Sequence, residues 1–366
     1  MALKIISYVT NMDEDAVDGF SRNTAKIIRV LQNNFRLTLV GLSVKGGGTR
    51  CNSRIYERTT ISRSWRVIIT EFCSLLAKPK SKRFDDASLL YFDGIAWAPI
   101  VFLSGQLPVI FNLVDSPRLR FKRLFFADMT VKKFLKMVLG FCLERLIVSR
   151  ASAIVVVSPA ERKSLIDRYP KMEKKIHQIN VYAIDQQSRE SRSSHNINRF
   201  VVLADFSVDY LASSTETFLR SIASSLQSVN VVLVGRNSEF LAMKYGCKSY
   251  NFVENLDEFL LSSKAVIVPD LVGSGIKTRV IHAAMLGVPV LATPCAMEGL
   301  DMLSDGISYV KIPHDCNSEW MLSLAQRPCN ELSQIGRRGR DTVEKHFSWK
   351  SIDQAWLNLF GRVLNG

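Results

Sequence analysis

With 366 residues and 47% apolar content, the chain can bury two sizeable cores, which favours two domains over one. Its seven cysteines lie far apart with no C-x-x-C pair and no metal-ligand spacing beside a histidine, so the sequence predicts reduced thiols in the cytosol and neither a disulfide framework nor a bound metal. The net charge of +14 is one-sided, with 30 Lys and Arg against 15 Asp and Glu in residues 1–184 and 18 against 19 in the rest, so the first half has either a solvated basic surface or an anionic partner: nucleic acid, acidic polysaccharide or lipid headgroups.

The N-terminus MALKIISYVT reads as a strand over Leu3–Thr10 and lacks the basic stretch, apolar run and cleavage site of a signal peptide. An acidic loop containing Gly19 leads into a helix from Arg22 to about Asn34, and Arg36–Ser43 forms the next strand. This βαβ opening puts Gly19 near the crevice above the sheet, where it either admits a ligand to the backbone or only turns the chain. Residues 44–86 give strand-like pieces between Ile55 and Ile69, a charged turn, and no chemistry. Residues 87–114 carry a single charge, Asp93. Pro99, Gly105 and Pro108 break that apolar run, which predicts two buried strands flanking a short helix rather than a transmembrane segment. The strands end in Asp93 and Asp115, where a doubly wound sheet places its site; each carboxylate can act as a general base or cap the next helix.

Residues 117–150 hold nine Lys and Arg against two acids, interleaved with Leu, Phe, Val and Met. This spacing predicts an amphipathic helix or helix pair, suited either to an anionic membrane surface or to core packing with solvated lysines. No nucleic-acid motif accompanies the charge, so nucleic acid is not expected as a partner. Ala151–Val157 reads as a strand, and Ser158 with Glu161 as a capping box with proline at the first helical position. The polar stretch 185–199 reads as a linker.

A second domain then begins with a strand at Phe200–Ala204, a helix over Ser213–Ser225 and the strand VNVVLV. Arg236 follows at the crevice end, where it either pairs with phosphate or stays on the surface. Residues 265–300 read as strand, loop with Gly273 and Gly275, helix from Ile276 to Leu286, a stop at Gly287, and strand Val288–Ala292. The loop presents backbone N–H groups at a helix N-terminus beside Lys277, which suits a diphosphate.

The string GSGIKTRVIHAAMLGVPVLATPCAMEGL resembles the nucleotide-sugar site of GT-B glycosyltransferases of the bacterial family 4 type, whose motif runs G-x-G-I-K, a helix, G-x-P-V-V-A-T and E-G-L. The resemblance is strong after residue 200 and loose before it, and RRGRDTVEKHFSWKSIDQAWLNLFGRVL resembles the family's closing pair of helices. It implies an α/β chain of two Rossmann-like, doubly wound parallel-sheet domains facing a cleft. Residues 1–184 would take the acceptor, 185–199 form the linker, 200–347 take the donor, and a terminal helix over 348–366 return to the first domain. Gly273, Ser274, Gly275, Ile276 and Lys277 would hold the diphosphate with Arg236, Val253 would bracket the base, and Gly19 would approach the substrate.

Two positions depart from the family. Ser274 and His282 stand where many members carry glutamates for the sugar and ribose hydroxyls, and a serine and a neutral imidazole make fewer hydrogen bonds. The first 176 residues contain no histidine, so the N-domain histidine of many relatives is missing and a carboxylate must serve as base, Asp115 ahead of Asp93. The resemblance implies a metal-independent hexosyltransferase of bacterial polysaccharide biosynthesis. It would move a sugar from a nucleotide-diphosphate donor, its substrate, to a lipid-linked or polysaccharide acceptor, peripheral on the cytoplasmic face of an anionic membrane, with no separate cofactor. The missing glutamates suggest a non-catalytic GT-B subunit as the alternative; an epimerase, which needs several ionisable groups around the sugar, fits Ser274 poorly.

Overall fold

The structure, a computed structural model, describes residues 3–12, 19–44, 52–55, 61–79, 83–84, 86–114, 116–181, 198–273 and 275–365. Two compact units divide the chain: Met1–Tyr182 with Trp349–Gly366, and Ala183–Ser348. Asp115, Ser274 and most of the stretch read as a linker lie outside the described residues.

Unit 1 runs β1 (Lys4–Met12), α1 (Gly19–Asn34), β2 (Arg36–Val44), β3 (Asn52–Ile55), α2 (Ile61–Ala77), β4 (Leu89–Asp93), α3 (Ala98–Val101), β5 (Val109–Val114), α4 (Pro117–Ala127), α5 (Val131–Arg150), β6 (Ala153–Val156), α6 (Pro159–Arg168) and β7 (Ile176–Gln178). The strands form one parallel sheet in the order β3-β2-β1-β4-β5-β6-β7. Side chains alternate between its faces, and both faces are covered, so the central strands are mostly apolar, with Ser7, Asp93 and Asn112 as buried polar exceptions. Ile6, Tyr8, Leu90, Phe92 and Phe111 pack under α2, α3, α5 and α6. Ile5, Val9, Leu89, Tyr91 and Ile110 pack under α1 and under Ile352, Trp356, Leu359 and Phe360 of the last helix.

The stretch read as strand-like between Ile55 and Ile69 is mostly helix α2. Its Ile, Val, Thr and Trp favour strand locally, but Ile68, Phe72 and Leu75 fall on one helical face against the sheet, and that burial overrides propensity.

Unit 2 runs β8 (Arg199–Leu203), α7 (Asp209–Ser221), β9 (Asn230–Val234), α8 (Ser238–Tyr245), β10 (Lys248–Tyr250), α9 (Leu256–Leu261), β11 (Ala265–Val268), α10 (Thr278–Met285), β12 (Val290–Ala292), β13 (Val310–Lys311), α11 (Ser318–Gln326) and α12 (Cys329–His346). Helix α13 (Trp349–Asn365) belongs to unit 1. The strands again form a parallel sheet, in the order β10-β9-β8-β11-β12-β13. Close helix packing depends on two glycines: a Cβ on Gly336 of α12 would lie 2.2 Å from the Gly287 carbonyl oxygen, and one on Gly339 2.6 Å from that of Ser308.

Candidate functional site

In unit 2 the strand order reverses between β8 and β11, so the crevice of a doubly wound sheet opens at the carboxyl ends of these two strands. The segment leaving β11 is clamped from three sides. Asp270, 2% exposed, forms an ion pair with Arg279 of α10, its carbonyl accepts from the Thr293 hydroxyl beyond β12, and the Leu271 N–H donates to Ser214 Oγ of α7 at 3.1 Å. Neither Asp270 nor Arg279 was foreseen; an acid directly after a buried strand and a base in the next helical turn were the available signals.

The glycine loop follows. Gly273 and Gly275 take φ of +146° and +74°, a region that side chains strain to enter, and a Cβ on Gly273 would lie 3.5 Å from Lys277 Nζ. Lys277 keeps extended backbone as the N-cap, so α10 begins at Thr278, two residues later than its apolar pattern predicts. The Lys277 ammonium folds back over the loop and donates to the Gly275 carbonyl oxygen at 2.8 Å. Ile276 is half-buried beside it.

Farther along α10, His282 is 5% exposed, and its Nε2 lies 2.6 Å from Asp257 Oδ1 on the first turn of α9. Helix α9 starts from the carboxyl edge of the sheet with Asp257 in its first turn, while His282 lies past the midpoint of α10. Val253, half-buried, lies between β10 and α9, whose N-terminus Asn255 caps by accepting from the Glu258 N–H at 3.1 Å. Asp257 was missed because nothing in the sequence ties positions 25 residues apart.

At the end of β8, Asp205 forms an ion pair with Arg236, which leaves β9. Burial raises the Asp205 carboxyl, but hydrogen bonds from Ser207 and Arg236 outweigh it and hold the group below its usual value. Gly235 permits the approach: with φ +134°, its Cβ would lie 1.8 Å from the Ala204 carbonyl oxygen.

In unit 1 the reversal falls between β1 and β4. Gly19 is the first residue of α1. Asp93 shares the Tyr91 face of β4, under α1 and α13, and is fully buried. Its carboxylate accepts from Thr24 Oγ1 at 2.8 Å, Tyr91 Oη at 3.3 Å and Asn112 Nδ2 at 3.3 Å. Burial pushes the carboxyl up to about 7, and the three hydrogen bonds offset only part of that cost.

Beside undescribed Asp115, Ser116 opens α4 and is held by two buried glutamates. Its Oγ donates to Glu144 Oε2 at 2.8 Å, and its N–H donates to Glu161 Oε1 at 3.0 Å. At the predicted capping box, Ser158 Oγ accepts from the Glu161 N–H at 3.2 Å and donates to Glu161 Oε2 at 3.2 Å, while the other carboxylate oxygen, Oε1, accepts from the Ser116 N–H. Burial raises Glu144, against the Ser116 hydrogen bond and the charges of Arg118 and Arg168. Among the described residues no group of three or more His, Cys, Asp or Glu is placed to hold a metal ion.

No family model and no curated protein matches the sequence. Solved structures do match along its whole length. Sucrose-phosphate synthase from Thermosynechococcus elongatus is 13% identical over 99% of each chain, with a TM-score of 0.74. HepE from Anabaena in complex with UDP-glucose is 11% identical over 98% of this chain and 100% of its own, with a TM-score of 0.69. WaaG, a glycosyltransferase involved in lipopolysaccharide biosynthesis, is 10% identical over 97% of this chain and 98% of its own, again at 0.69. Two doubly wound parallel sheets, a last helix that rejoins the first unit and these full-length matches identify the chain as a protein of the GT-B fold.

Proposed function

We propose that this chain is a glycosyltransferase that takes a nucleotide-diphosphate sugar at the carboxyl edge of the unit 2 sheet. The observation that carries the reading is the loop at Gly273–Lys277, which lies at the strand-order reversal with an ammonium folded over it. Donor binding would exchange the Lys277 contact with Gly275 for one with phosphate oxygens, while loop N–H groups from Ser274 to Lys277 and the α10 dipole meet the remaining charge. Arg236 would leave Asp205 for the diphosphate, Val253 would flank the base, and the His282–Asp257 pair would meet the ribose. That HepE was solved with UDP-glucose on the same fold supports a nucleotide sugar as the donor.

Asp115 would act as the base that takes the acceptor hydroxyl proton, with Ser116 and its two glutamates setting the start of α4. Asp93, with three partners and no exposure, is the weaker candidate on geometry. Gly19 would leave room for substrate at the start of α1. The acceptor would be lipid-linked or a polysaccharide at the cytoplasmic face of the membrane, in keeping with the basic excess of residues 1–184. Lys277 and the helix dipole would do the work of charge compensation without a metal, so transfer should survive EDTA.

Thermal shift with UDP, GDP and ADP tests the donor site, since a ligand that prefers the folded chain raises its Tm. One nucleotide should stabilise the protein and Lys277→Ala should abolish most of the shift; an unchanged shift in that variant overturns the reading. Asp115→Asn should keep nucleotide binding and lose transfer. Binding without donor turnover by the unmodified chain, alone or with membranes, would point to a non-catalytic subunit.

A further inference from the structure

Helices α4 and α5 form a hairpin. Gly140 lets them close, since a Cβ there would lie 2.6 Å from Phe121 Cδ2 and 3.2 Å from the Pro117 carbonyl oxygen. The second half of α5 is anchored through buried Glu144, Ile147 and Val148. The hairpin tip is the opposite. Phe126, Met129, Val131, Leu135, Val138 and Leu139 are all exposed, Met129 by 70% and Val131 by 77%.

At about 100° per residue, Val131, Leu135, Val138 and Leu139 share one stripe of α5, turned away from the side on which Gly140 meets α4. Lys132 and Lys136 border that stripe, while Lys133 is paired with Asp128. Between Arg118 and Lys136 there are seven Lys and Arg and one acid, Asp128. A protein partner would have to cover the apolar stripe and neutralise this basic border in one surface. An anionic lipid leaflet offers both, acyl chains below and negative headgroups around. The stripe from Val131 to Leu139 is about 13 Å long, too short to cross a bilayer. No helix of the described residues is long and apolar enough to do so.

We propose that the tip of the α4–α5 hairpin inserts its apolar stripe into one leaflet of an anionic bilayer, with Lys132 and Lys136 at the headgroups. This rests on the membrane half of the proposed function and adds that apolar insertion, not charge alone, holds the protein there.

The test is co-sedimentation of the full chain with vesicles of phosphatidylcholine, with and without phosphatidylserine. The chain should bind the anionic vesicles and only weakly the neutral ones. Leu135→Ser with Val138→Ser should weaken binding at least about tenfold. Lys132→Gln with Lys136→Gln should weaken it roughly 30-fold on phosphatidylserine alone. A Leu135→Trp variant should gain vesicle-dependent fluorescence that brominated lipids quench. These side chains are exposed, so the fold should persist, and an unchanged nucleotide-induced Tm shift keeps a failed membrane test separate from a failed donor site. Serine variants that sediment like the parent, equal binding to neutral and anionic vesicles, or a solution dimer that the serine variants dissociate would each overturn the proposal.

Discussion

His282 Nε2 lies 2.6 Å from Asp257 Oδ1, so an imidazole and a carboxylate join the first turn of α9 to the middle of α10. The pair explains why a histidine is tolerated here in a buried position: one ring nitrogen is satisfied by a charged acceptor. His282→Glu alone should be destabilising, by roughly 2 kcal/mol, because two carboxylates would then share the site. Adding Asp257→Asn should recover most of that loss, since the amide can donate to the new glutamate. Thermal melts of the two singles and the double, read as a cycle, would show the coupling. Additive effects would mean that the residues do not interact.

The loop glycines should matter to the fold and the lysine only to the ligand. Gly275→Ala should cost about 1–2 kcal/mol, because φ of +74° puts a Cβ against the following carbonyl. Gly273→Ala should cost about 1–3 kcal/mol at φ +146°. Lys277→Ala should change stability by less than about 0.5 kcal/mol and weaken nucleotide binding about tenfold or more, the worth of a charge-assisted hydrogen bond. Urea titration and nucleotide titration of the same variants separate the two effects.

Asp93 should make stability depend on pH in an unusual direction. Its carboxyl is raised from an ordinary 3.8 to about 7 in the folded chain, so between those values the native state holds the extra proton. The contribution is therefore full below about pH 4 and is lost as pH rises through about 7, on the order of a few kcal/mol in total. Asp93→Asn should remove it. The difference in unfolding free energy between parent and variant, measured from pH 5 to 8, should shift steadily in favour of the variant, and a flat difference would contradict the assignment.

Glu161 should act through Ser116. Removing its carboxylate leaves the buried Ser116 N–H without its acceptor, so Glu161→Ala should destabilise by about 1–3 kcal/mol. Glu161→Gln keeps an acceptor oxygen and should restore most of the stability. If the start of α4 also positions the base, the alanine variant should lower kcat for transfer while nucleotide affinity stays unchanged.

The sequence alone determined most of the strands, the doubly wound architecture and the glycine loop. These depend on local signals that tertiary packing reinforces: runs such as LLYFD and AVIVP bounded by glycine, proline or acid, and two glycines ahead of an apolar helical pattern. It misread α2, where β-branched residues argue locally for strand and only the sheet beneath Ile68 and Leu75 decides for helix. Side-chain partners were decided by the tertiary structure alone. Asp93 reads as a carboxylate at a strand end, yet its place in the alternation of β4 turns it under α1, and His282 and Arg236 read as lone ligands until Asp257 and Asp205 arrive from other strands and helices. Periodicity is written along the chain, so a sequence can carry it. Which charged groups meet depends on strand order, and that is settled only when distant segments pack.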